Sequence, residues 1–283
     1  MSIQTLASGY GLIEGPRQGA DESLYFSDVH NGGVRRLNRD GSIDLVVPKR
    51  RGVGGIALHA DGGLVISGKS ICHVRDGITR VLYERDDIGG FNDLYTDQRG
   101  RVYVGSLRDD PFSVDPISRR TGDAYRIDSE GVGLTLYEGV GLSNGIGFSP
   151  DNGRMYHADT VTRGVTVHDL DADGEIVTGS RRTFATLDRG MPDGLAVDTE
   201  GGVWVAAYGG GCVSRFRPDG TLDRHIAVPA NDVTSLCFVG PELDELVVVT
   251  ADNTDDPARA GSIFRVSADQ VRARGVPAPP ATI

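Results

Sequence analysis

Short apolar runs alternate with Gly-containing turns along the chain, and this pattern repeats six times. The strongest apolar run of each repeat begins at an equivalent position: Leu24, Leu64, Val102, Met155, Val203 and Leu246. Successive runs begin 40, 38, 53, 48 and 43 residues apart, which is the length of one four-stranded propeller blade. Because no period of 3.6 residues is sustained anywhere, the pattern predicts strands throughout.

Turns divide each repeat into four strands, of which the strong apolar run is the second. The turns that precede the second strands are rich in Asp, Asn and Gly, as at 59–63, 149–153 and 198–202. These residue types tolerate the positive φ that tight hairpins need. A third strand, a second turn and a fourth strand follow, as at 33–37, 39–41 and 43–47. The sequence therefore predicts an all-β, six-bladed β-propeller.

The two ends of the chain complete one blade between them. The sixth repeat lacks a fourth strand, because the chain becomes Pro-rich at 276–280 soon after its third strand. Residues 3–8 stand before the first repeat, in the position of a fourth strand. We predict that they form the outer strand of the last blade, which would close the ring and remove an exposed edge. Residues 1–283 are thus expected to form a single domain with a short Pro-rich C-terminal tail.

Composition narrows the class of protein. The formal net charge of −11 argues against binding to phosphate backbones. The first residues lack the basic and apolar regions of a signal peptide, and no apolar run is long enough to span a membrane. The three cysteines, Cys72, Cys212 and Cys237, are widely spaced and form no CxxC pair, so we expect reduced core thiols. These features predict a cytoplasmic protein with no nucleic-acid or membrane partner, either a monomer or a weak homo-oligomer.

One position of the repeat carries candidate chemistry. About ten residues before each second strand, where one blade passes to the next, stand Glu14, Gly54, Asn92, Asn144, Asp193 and Thr234. Equivalent positions in a propeller share one face and one radius, and first strands line the central channel. Taken singly, Asn144-Gly145 and Asp193-Gly194 are ordinary turn sequences. Taken together, four of the six positions offer carboxylate or amide oxygens toward one point.

Those oxygens favour a hard divalent cation. Calcium takes 6–8 oxygen ligands, so the metal ligands predicted here, Glu14, Asn144, Asp193 and Asn92, would leave room for water or substrate. Zinc would call for His or Cys, and no His occupies this position of the repeat. We therefore expect one divalent metal ion, foremost Ca²⁺, with Zn²⁺, Mn²⁺, Mg²⁺ and Fe²⁺ as alternatives. His157 and His30 could reach the channel, but a catalytic part for them is not favoured.

The chain resembles the gluconolactonase/regucalcin/luciferin-regenerating-enzyme-like family. The segments that carry the resemblance span nearly the whole chain: 13–16, 91–93, 143–151, 191–198 and 260–266. The resemblance implies a six-bladed propeller with a central metal, usually calcium in the lactonases. It also implies that Glu14, Asn144 and Asp193 are metal ligands and that Asn92 faces substrate or metal. The activity it implies is opening of a lactone, a cyclic ester.

Two positions depart from the family pattern. Sugar lactonases commonly carry an Arg two residues before the Asn matched by Asn92, and here that position is Gly90. The third-blade loop often supplies an acidic contact, but the stretch 107–112 offers no clearly matching Glu. From this loop we predict Arg108 and Asp109 as substrate contacts, together with Asn92. A smaller or less polar lactone than a sugar lactone is therefore expected.

The expected mechanism is metal-assisted hydrolysis. The cation would polarise the carbonyl, and Asp193, the predicted catalytic residue, would take a proton from the attacking water. A carboxylate bound to a dication is a poor base, so Asp109 or Asp110 is the alternative base, and direct attack by a metal-bound Asp is another route. Three other functions stay open: a non-enzymatic metal- or ligand-binding propeller, a lyase or isomerase, and an organophosphate hydrolase.

Overall fold

The computed structural model describes residues 3–109 and 120–283, and within them 24 strands form six four-stranded antiparallel sheets. The first blade contains β2 (Ile13–Gln18), β3 (Leu24–Asp28), β4 (Val34–Leu37) and β5 (Ile43–Val47). The second contains β6 (Ile56–Leu58), β7 (Leu64–Ile66), β8 (Ile71–Arg75) and β9 (Ile78–Tyr83). The third contains β10 (Gly90–Thr96), β11 (Val102–Leu107), β12 (Gly122–Ile127) and β13 (Gly133–Val140).

The remaining blades follow the same order. The fourth contains β14 (Ser143–Phe148), β15 (Arg154–Asp159), β16 (Gly164–Asp169) and β17 (Arg182–Thr186). The fifth contains β18 (Met191–Val197), β19 (Val203–Tyr208), β20 (Cys212–Phe216) and β21 (Leu222–Ala227). The last contains β22 (Val233–Val239), β23 (Glu245–Thr250), β24 (Gly261–Val266) and β1 (Gln4–Tyr10). Every second strand begins at the predicted residue or one residue before it.

The prediction for the chain ends is confirmed. Strand β1 pairs antiparallel with β24, with Gln4 opposite Arg265 and Ser8 opposite Ser262. The strand order of this blade is β1-β24-β23-β22, so the N-terminal strand is its outer edge. Backbone hydrogen bonds between the two ends of the chain therefore hold the ring closed.

The first strands of the blades form the innermost ring. Each of β2, β6, β10, β14, β18 and β22 contacts the first strands of both neighbouring blades. Because these strands run in the same direction, their beginnings lie around one mouth of the channel and their ends around the other. Residues at equivalent positions near the strand starts are thus brought to a common centre.

The hydrophobic core lies between blades. Trp204 of the fifth blade is fully buried and makes an edge-to-face contact with Phe238 of the last, with ring centroids 5.9 Å apart. Tyr103 and Phe148 join the third and fourth blades in the same way at 4.9 Å. Such pairs add about 1 kcal/mol each beyond their burial. The three cysteines are buried and free, as expected.

The C-terminal segment has more structure than its composition suggested. After a one-turn helix, Ala268–Val271, it crosses the channel mouth that lies at the strand ends. Its backbone amides donate hydrogen bonds to carbonyl oxygens of the last, fifth, third and second blades. These bonds are Gly275 N to Leu243 O (2.7 Å), Val276 N to Val197 O (3.0 Å), Thr282 N to Gly100 O (2.9 Å) and Ala281 N to Leu58 O (2.7 Å). Within the described residues, no helix is long and apolar enough to cross a membrane.

Candidate metal and lactone site

The four predicted donors lie where the first strands change register. The pairing of first and second strands shifts between Phe91 and Leu94, between Ser143 and Ile146, and between Pro192 and Leu195. A fourth shift follows Glu14. Such irregularities are β-bulges, which re-aim side chains beside functional sites. Asn144 and Asp193 therefore lie within strands, although their sequences are also those of turns.

The glycine that follows a donor is required by close packing between blades. A Cβ on Gly145 would stand 2.3 Å from the amide nitrogen of Leu195, and one on Gly194 would stand 2.1 Å from Ser235 Oγ. Both distances are well inside van der Waals contact. In each Asn-Gly or Asp-Gly pair, the first residue therefore offers an oxygen toward the channel. The glycine that follows leaves the space in which the next blade packs closely.

The two asparagines meet across the interface of the third and fourth blades. Asn92 Nδ2 donates to Asn144 Oδ1 at 2.6 Å and to the carbonyl of Ser143 at 2.7 Å. Asn144 Nδ2 donates to Thr160 Oγ1 at 2.6 Å, and Thr160 donates in turn to the carbonyl of Pro192 at 2.8 Å. This chain of bonds sets the positions of both amides and reaches the residue before Asp193.

The other two positions of the register serve the geometry in different ways. Gly54 makes room, because a Cβ there would stand 2.2 Å from Asn92 Oδ1. Thr234 is fully buried and donates to the carbonyl of Ile13 at 2.6 Å, which ties the last blade to the first. Only four of the six blades therefore offer an oxygen ligand at this position, because the other two positions are used for packing between blades.

The two predicted carboxylate ligands are buried together. Glu14 is 6% exposed and Asp193 is 7% exposed. Burial raises the pKa of Glu14 well above its ordinary value, and repulsion from Asp193 and Asp93 raises it further. The pKa of Asp193 is also raised well above its ordinary value, first by burial and then by repulsion from Asp93. Each carboxylate therefore resists being charged unless a cation compensates it.

These groups fit a hard divalent cation. Within the described residues, Asp193 Oδ1 is buried and has no hydrogen-bond partner, and Glu14 Oε2 accepts only a long bond, 3.3 Å, from the adjacent Gly15. The described part of the chain holds no cluster of three or more His, Cys, Asp or Glu suited to a metal, so the amide oxygens are needed to complete the set. Carboxylate and amide oxygens without nitrogen or sulfur are calcium-type ligands.

Asp93 was not predicted as a site residue. It is 8% exposed, burial raises its pKa to about 6, and the positive charge of Arg17 opposes that rise. The repeat itself held the signal. The residue after the donor position is glycine in four blades, at Gly15, Gly55, Gly145 and Gly194, and aspartate only in the third. The charged residue at this position distinguishes the third blade, and its carboxylate lies near enough to Glu14 and Asp193 to repel both.

Two predicted substrate contacts, Arg108 and Asp109, are engaged by side chains in the third blade and on the connection that precedes it. Arg108 pairs with Asp123 at 2.6 Å and with Asp87 at 3.2 Å. The carboxylate of Asp109 accepts from the backbone amide of Arg120 at 2.9 Å and from its Nε at 2.8 Å. Their contact with substrate stays a prediction, and Asp110, the other alternative base, lies outside the described residues.

The two histidines differ in environment. His30 is exposed on the connection between β3 and β4. His157 is almost fully buried, with its ring held between Ser143 and Tyr137. A direct catalytic part for either was not favoured, and the surroundings of His157 agree with that interpretation.

Comparisons with known proteins agree with this architecture. Solved structures of luciferin-regenerating enzyme and of a calcium-binding regucalcin from Agrobacterium tumefaciens share the fold. The first gives a TM-score of 0.89 at 24% identity over 100% of this chain and 99% of the other. The second gives 0.86 at 22% identity over 100% and 98%. At these identities the likeness shows the fold alone.

Sequence relatives carry more information. The chain is 32% identical to pentonolactonase XacC of Haloferax volcanii over 90% of both chains. It is 33% identical to a 6-deoxy-6-sulfogluconolactonase of Pseudomonas putida over 82% of this chain and 80% of the other. The profile of the SMP-30/Gluconolactonase/LRE-like region matches residues 12–252. The chain therefore belongs to the SMP-30/gluconolactonase/LRE-like family.

Proposed function

We propose that the protein opens a small lactone by hydrolysis with the help of one divalent cation, foremost calcium. The observation that carries the proposal is the buried Oδ1 of Asp193, which has no hydrogen-bond partner among residues 3–109 and 120–283 and lies beside a second buried carboxylate, Glu14. Two neighbouring buried carboxylates that together accept a single long hydrogen bond within the described residues, from Gly15 N to Glu14, cost stability unless a proton or a cation compensates them. Relatives named as lactonases at 32% and 33% identity support the reaction class.

The residues that would hold the cation are Glu14, Asn144 and Asp193. Asn144 Oδ1 accepts one bond, from Asn92, and an amide oxygen has a second lone pair for a ligand. Asn92 is either a fourth ligand or bound through one water. The amides set geometry without adding charge, so the two carboxylates alone match a dication.

When bound, such a cation supplies Lewis-acid polarisation of the lactone carbonyl. The chain supplies orientation and proton transfer. Asp193 accepts a proton from the attacking water while the water oxygen adds to the carbonyl carbon. The ring C–O bond then breaks, and the proton that Asp193 took from the water passes to the ring oxygen, which becomes the hydroxyl of a hydroxy acid, while Asp193 returns to the carboxylate. Asp93, with a pKa of about 6, is a second carboxylate suited to that proton, and Asp109 is the predicted alternative.

The substrate class is proposed from Gly90. A Cβ at this position would stand 2.9 Å from the carbonyl oxygen of Gly68, so the Arg of sugar lactonases has no space here without backbone movement. We propose a preference for less hydroxylated lactones over aldonolactones. The two lactonase relatives are named for sugar lactones, which makes this the point at which the protein is expected to differ from them.

A lactone panel tests the proposal. Metal-free protein is assayed with γ-butyrolactone, a pentonolactone and gluconolactone, with and without Ca²⁺, Mg²⁺, Mn²⁺ and Zn²⁺. We expect metal-dependent ring opening, fastest on the least hydroxylated lactone. In ¹⁸O-labelled water, hydrolysis places one labelled oxygen in the product carboxylate, whereas a lyase or isomerase incorporates none. Binding of calcium without turnover of any lactone would favour a non-enzymatic metal-binding propeller.

A further inference from the structure

A buried chain of hydrogen bonds connects the candidate site with the outer part of the blade interface. Ser143 Oγ and His157 Nε2 are 2.7 Å apart, and His157 Nδ1 lies 2.5 Å from the hydroxyl of Tyr137. Ser143 is fully buried and His157 is 1% exposed. Burial lowers the pKa of His157 to about 3, so the ring is neutral at working pH. One ring nitrogen then donates while the other accepts, and each hydroxyl partner can take the complementary part.

This chain joins two blades. Ser143 and His157 belong to β14 and β15 of the fourth blade, whereas Tyr137 belongs to β13, the outer strand of the third. On the channel side of the same interface, Asn92 of the third blade donates to Ser143 O and to Asn144 Oδ1. Ser143 is thus held from both sides, by its hydroxyl outward and by its carbonyl inward.

The serine and histidine do not form a nucleophile and its base. A Cβ added to Gly105 would stand 1.6 Å from Ser143 Oγ, so this hydroxyl is packed directly against the second strand of the third blade. A nucleophile must reach the carbonyl carbon of a substrate, and this oxygen is sealed from the channel. The pair must act through its neighbours.

We propose that His157 is a positioning residue that sets the separation of the third and fourth blades and, through Ser143, the placement of the Asn92 and Asn144 amides. This inference rests on the proposed function where it concerns metal and lactone. Removing a residue that orients a metal ligand typically lowers metal affinity about 10–100-fold. His157 contacts Ser143, and Ser143 directly precedes Asn144 in the chain. His157 therefore stands one contact away from a predicted metal ligand, as such orienting partners do.

His168 provides a matched control. Its ring stacks on Tyr137 with centroids 4.3 Å apart and an interplanar angle of 20°. It is as buried as His157, at 1% exposure, yet neither of its ring nitrogens has a hydrogen-bond partner in the described part of the chain. His168→Phe removes a buried imidazole from the same interface and keeps the stacking, without touching Ser143.

The test compares His157→Phe, Ser143→Ala, their double variant and His168→Phe. Side-chain amide signals of Asn92 and Asn144 are followed by ¹⁵N NMR in metal-free protein, and calcium affinity is measured by calorimetry. We expect His157→Phe and Ser143→Ala each to move both amide signals and to weaken calcium binding about tenfold. The double variant should be no weaker than the worse single variant, because both changes break the same bond. His168→Phe should leave the signals and the affinity unchanged.

Two results would overturn the inference: unmoved amide signals in both His157→Phe and Ser143→Ala, or an equal loss of affinity in His168→Phe. If His157→Phe does not fold, Ser143→Ala and Tyr137→Phe, which each remove one hydroxyl, decide the question. Failure of the proposed function gives a different result. The wild type would then bind no calcium or open no lactone, while the amide signals would still respond to His157.

Discussion

Two buried aspartates five residues apart differ in their surroundings: Asp193 lies near the start of β18, and Asp198 directly follows its end. Asp198 is fully buried and accepts hydrogen bonds from Gly202 N at 2.7 Å, Trp204 Nε1 at 2.8 Å and Arg215 Nε at 2.8 Å. Asp193 is 7% exposed, and its Oδ1 accepts none from the described residues. The difference teaches that burial alone does not mark a site. A buried carboxylate whose donors are missing does.

The comparison has an energetic side. The charge of Asp198 is compensated by Arg215, whose guanidinium also binds Asp223 at 3.1 Å and Glu200 at 2.9 Å. Removing such a partner leaves an uncompensated buried charge. Asp193 faces other carboxylates, so the fold tolerates it at a cost in stability. One end of the strand thus stabilises the blade, and the other end holds the carboxylate that we propose as a metal ligand.

The largest effect is expected at the unpartnered end. Asp193→Ala removes both a ligand and a charge, leaving one carboxylate opposite a dication. Calcium binding should be lost, and kcat/KM for the best lactone should fall by at least about 1000-fold, or about 4 kcal/mol. The variant should still fold, because the core lies between blades. Calorimetry, elemental analysis and initial rates measure this, and full metal content with wild-type turnover would refute the assignment.

At the partnered end the effect should fall on stability. Asp198→Asn removes the fully buried carboxylate among the three that pair with Arg215 and puts an NH2 group where an acceptor is needed. We therefore expect the free energy of unfolding to drop by about 3 kcal/mol. Urea denaturation followed by Trp204 fluorescence measures the change. Calcium affinity and kcat of the folded fraction should match the wild type, since Asp198 lies at the far mouth of the channel. A selective loss of activity in a stable variant would contradict the division between the two ends.

A third change tests how the amides complete the site. Gly54→Ala places a methyl group against Asn92 Oδ1, so the Asn92 side chain must move. Calcium affinity should fall about tenfold, as for Asn92→Ala, because one supporting group is displaced. Combining the two changes should add little, since Gly54→Ala acts through Asn92. Calorimetric affinities that instead fall independently would show that Gly54 affects the site by another route.

The smallest effect is in the pH dependence of metal-free protein. The raised pKa of Asp193 means that the native state binds its proton more tightly than the unfolded state, so this group costs stability as pH rises through and beyond the unfolded value near 4. Asp193→Asn should therefore be more stable than wild type at pH 7, by about 1 kcal/mol. The difference should shrink toward pH 4.

Calcium should reverse that order. Saturating calcium stabilises the wild type by mass action and leaves Asp193→Asn nearly unchanged. Denaturation curves at several pH values, with and without calcium, measure both effects. A metal-free Asp193→Asn protein that is less stable than wild type at pH 7 would show that Asp193 is satisfied like Asp198.

Much of the site followed from the repeat. Glu14, Asn144 and Asp193 share one register, and a propeller brings one register to one centre, so the blade count alone predicts that they converge. The interaction that positions Asn144 was not predictable in that way. Asn92 and Thr160 reach it from different blades, and no periodicity states that these side chains touch.

The sequence by itself determined the blade boundaries and the N-terminal strand of the last blade, because alternation and turn chemistry act over a few residues and then repeat. From the same repeat it predicts the circle of oxygen donors. Only the tertiary structure decided which buried groups are satisfied. Asp193 and Asp198 both lie near a glycine in strand-like sequence, and only Asp198 finds partners on other strands, such as Trp204 and Arg215. The C-terminal segment shows the same limit, since Ala281 bonds Leu58 across the channel mouth. Contacts between residues distant along the chain depend on how the blades close, and closure is a property of the whole ring.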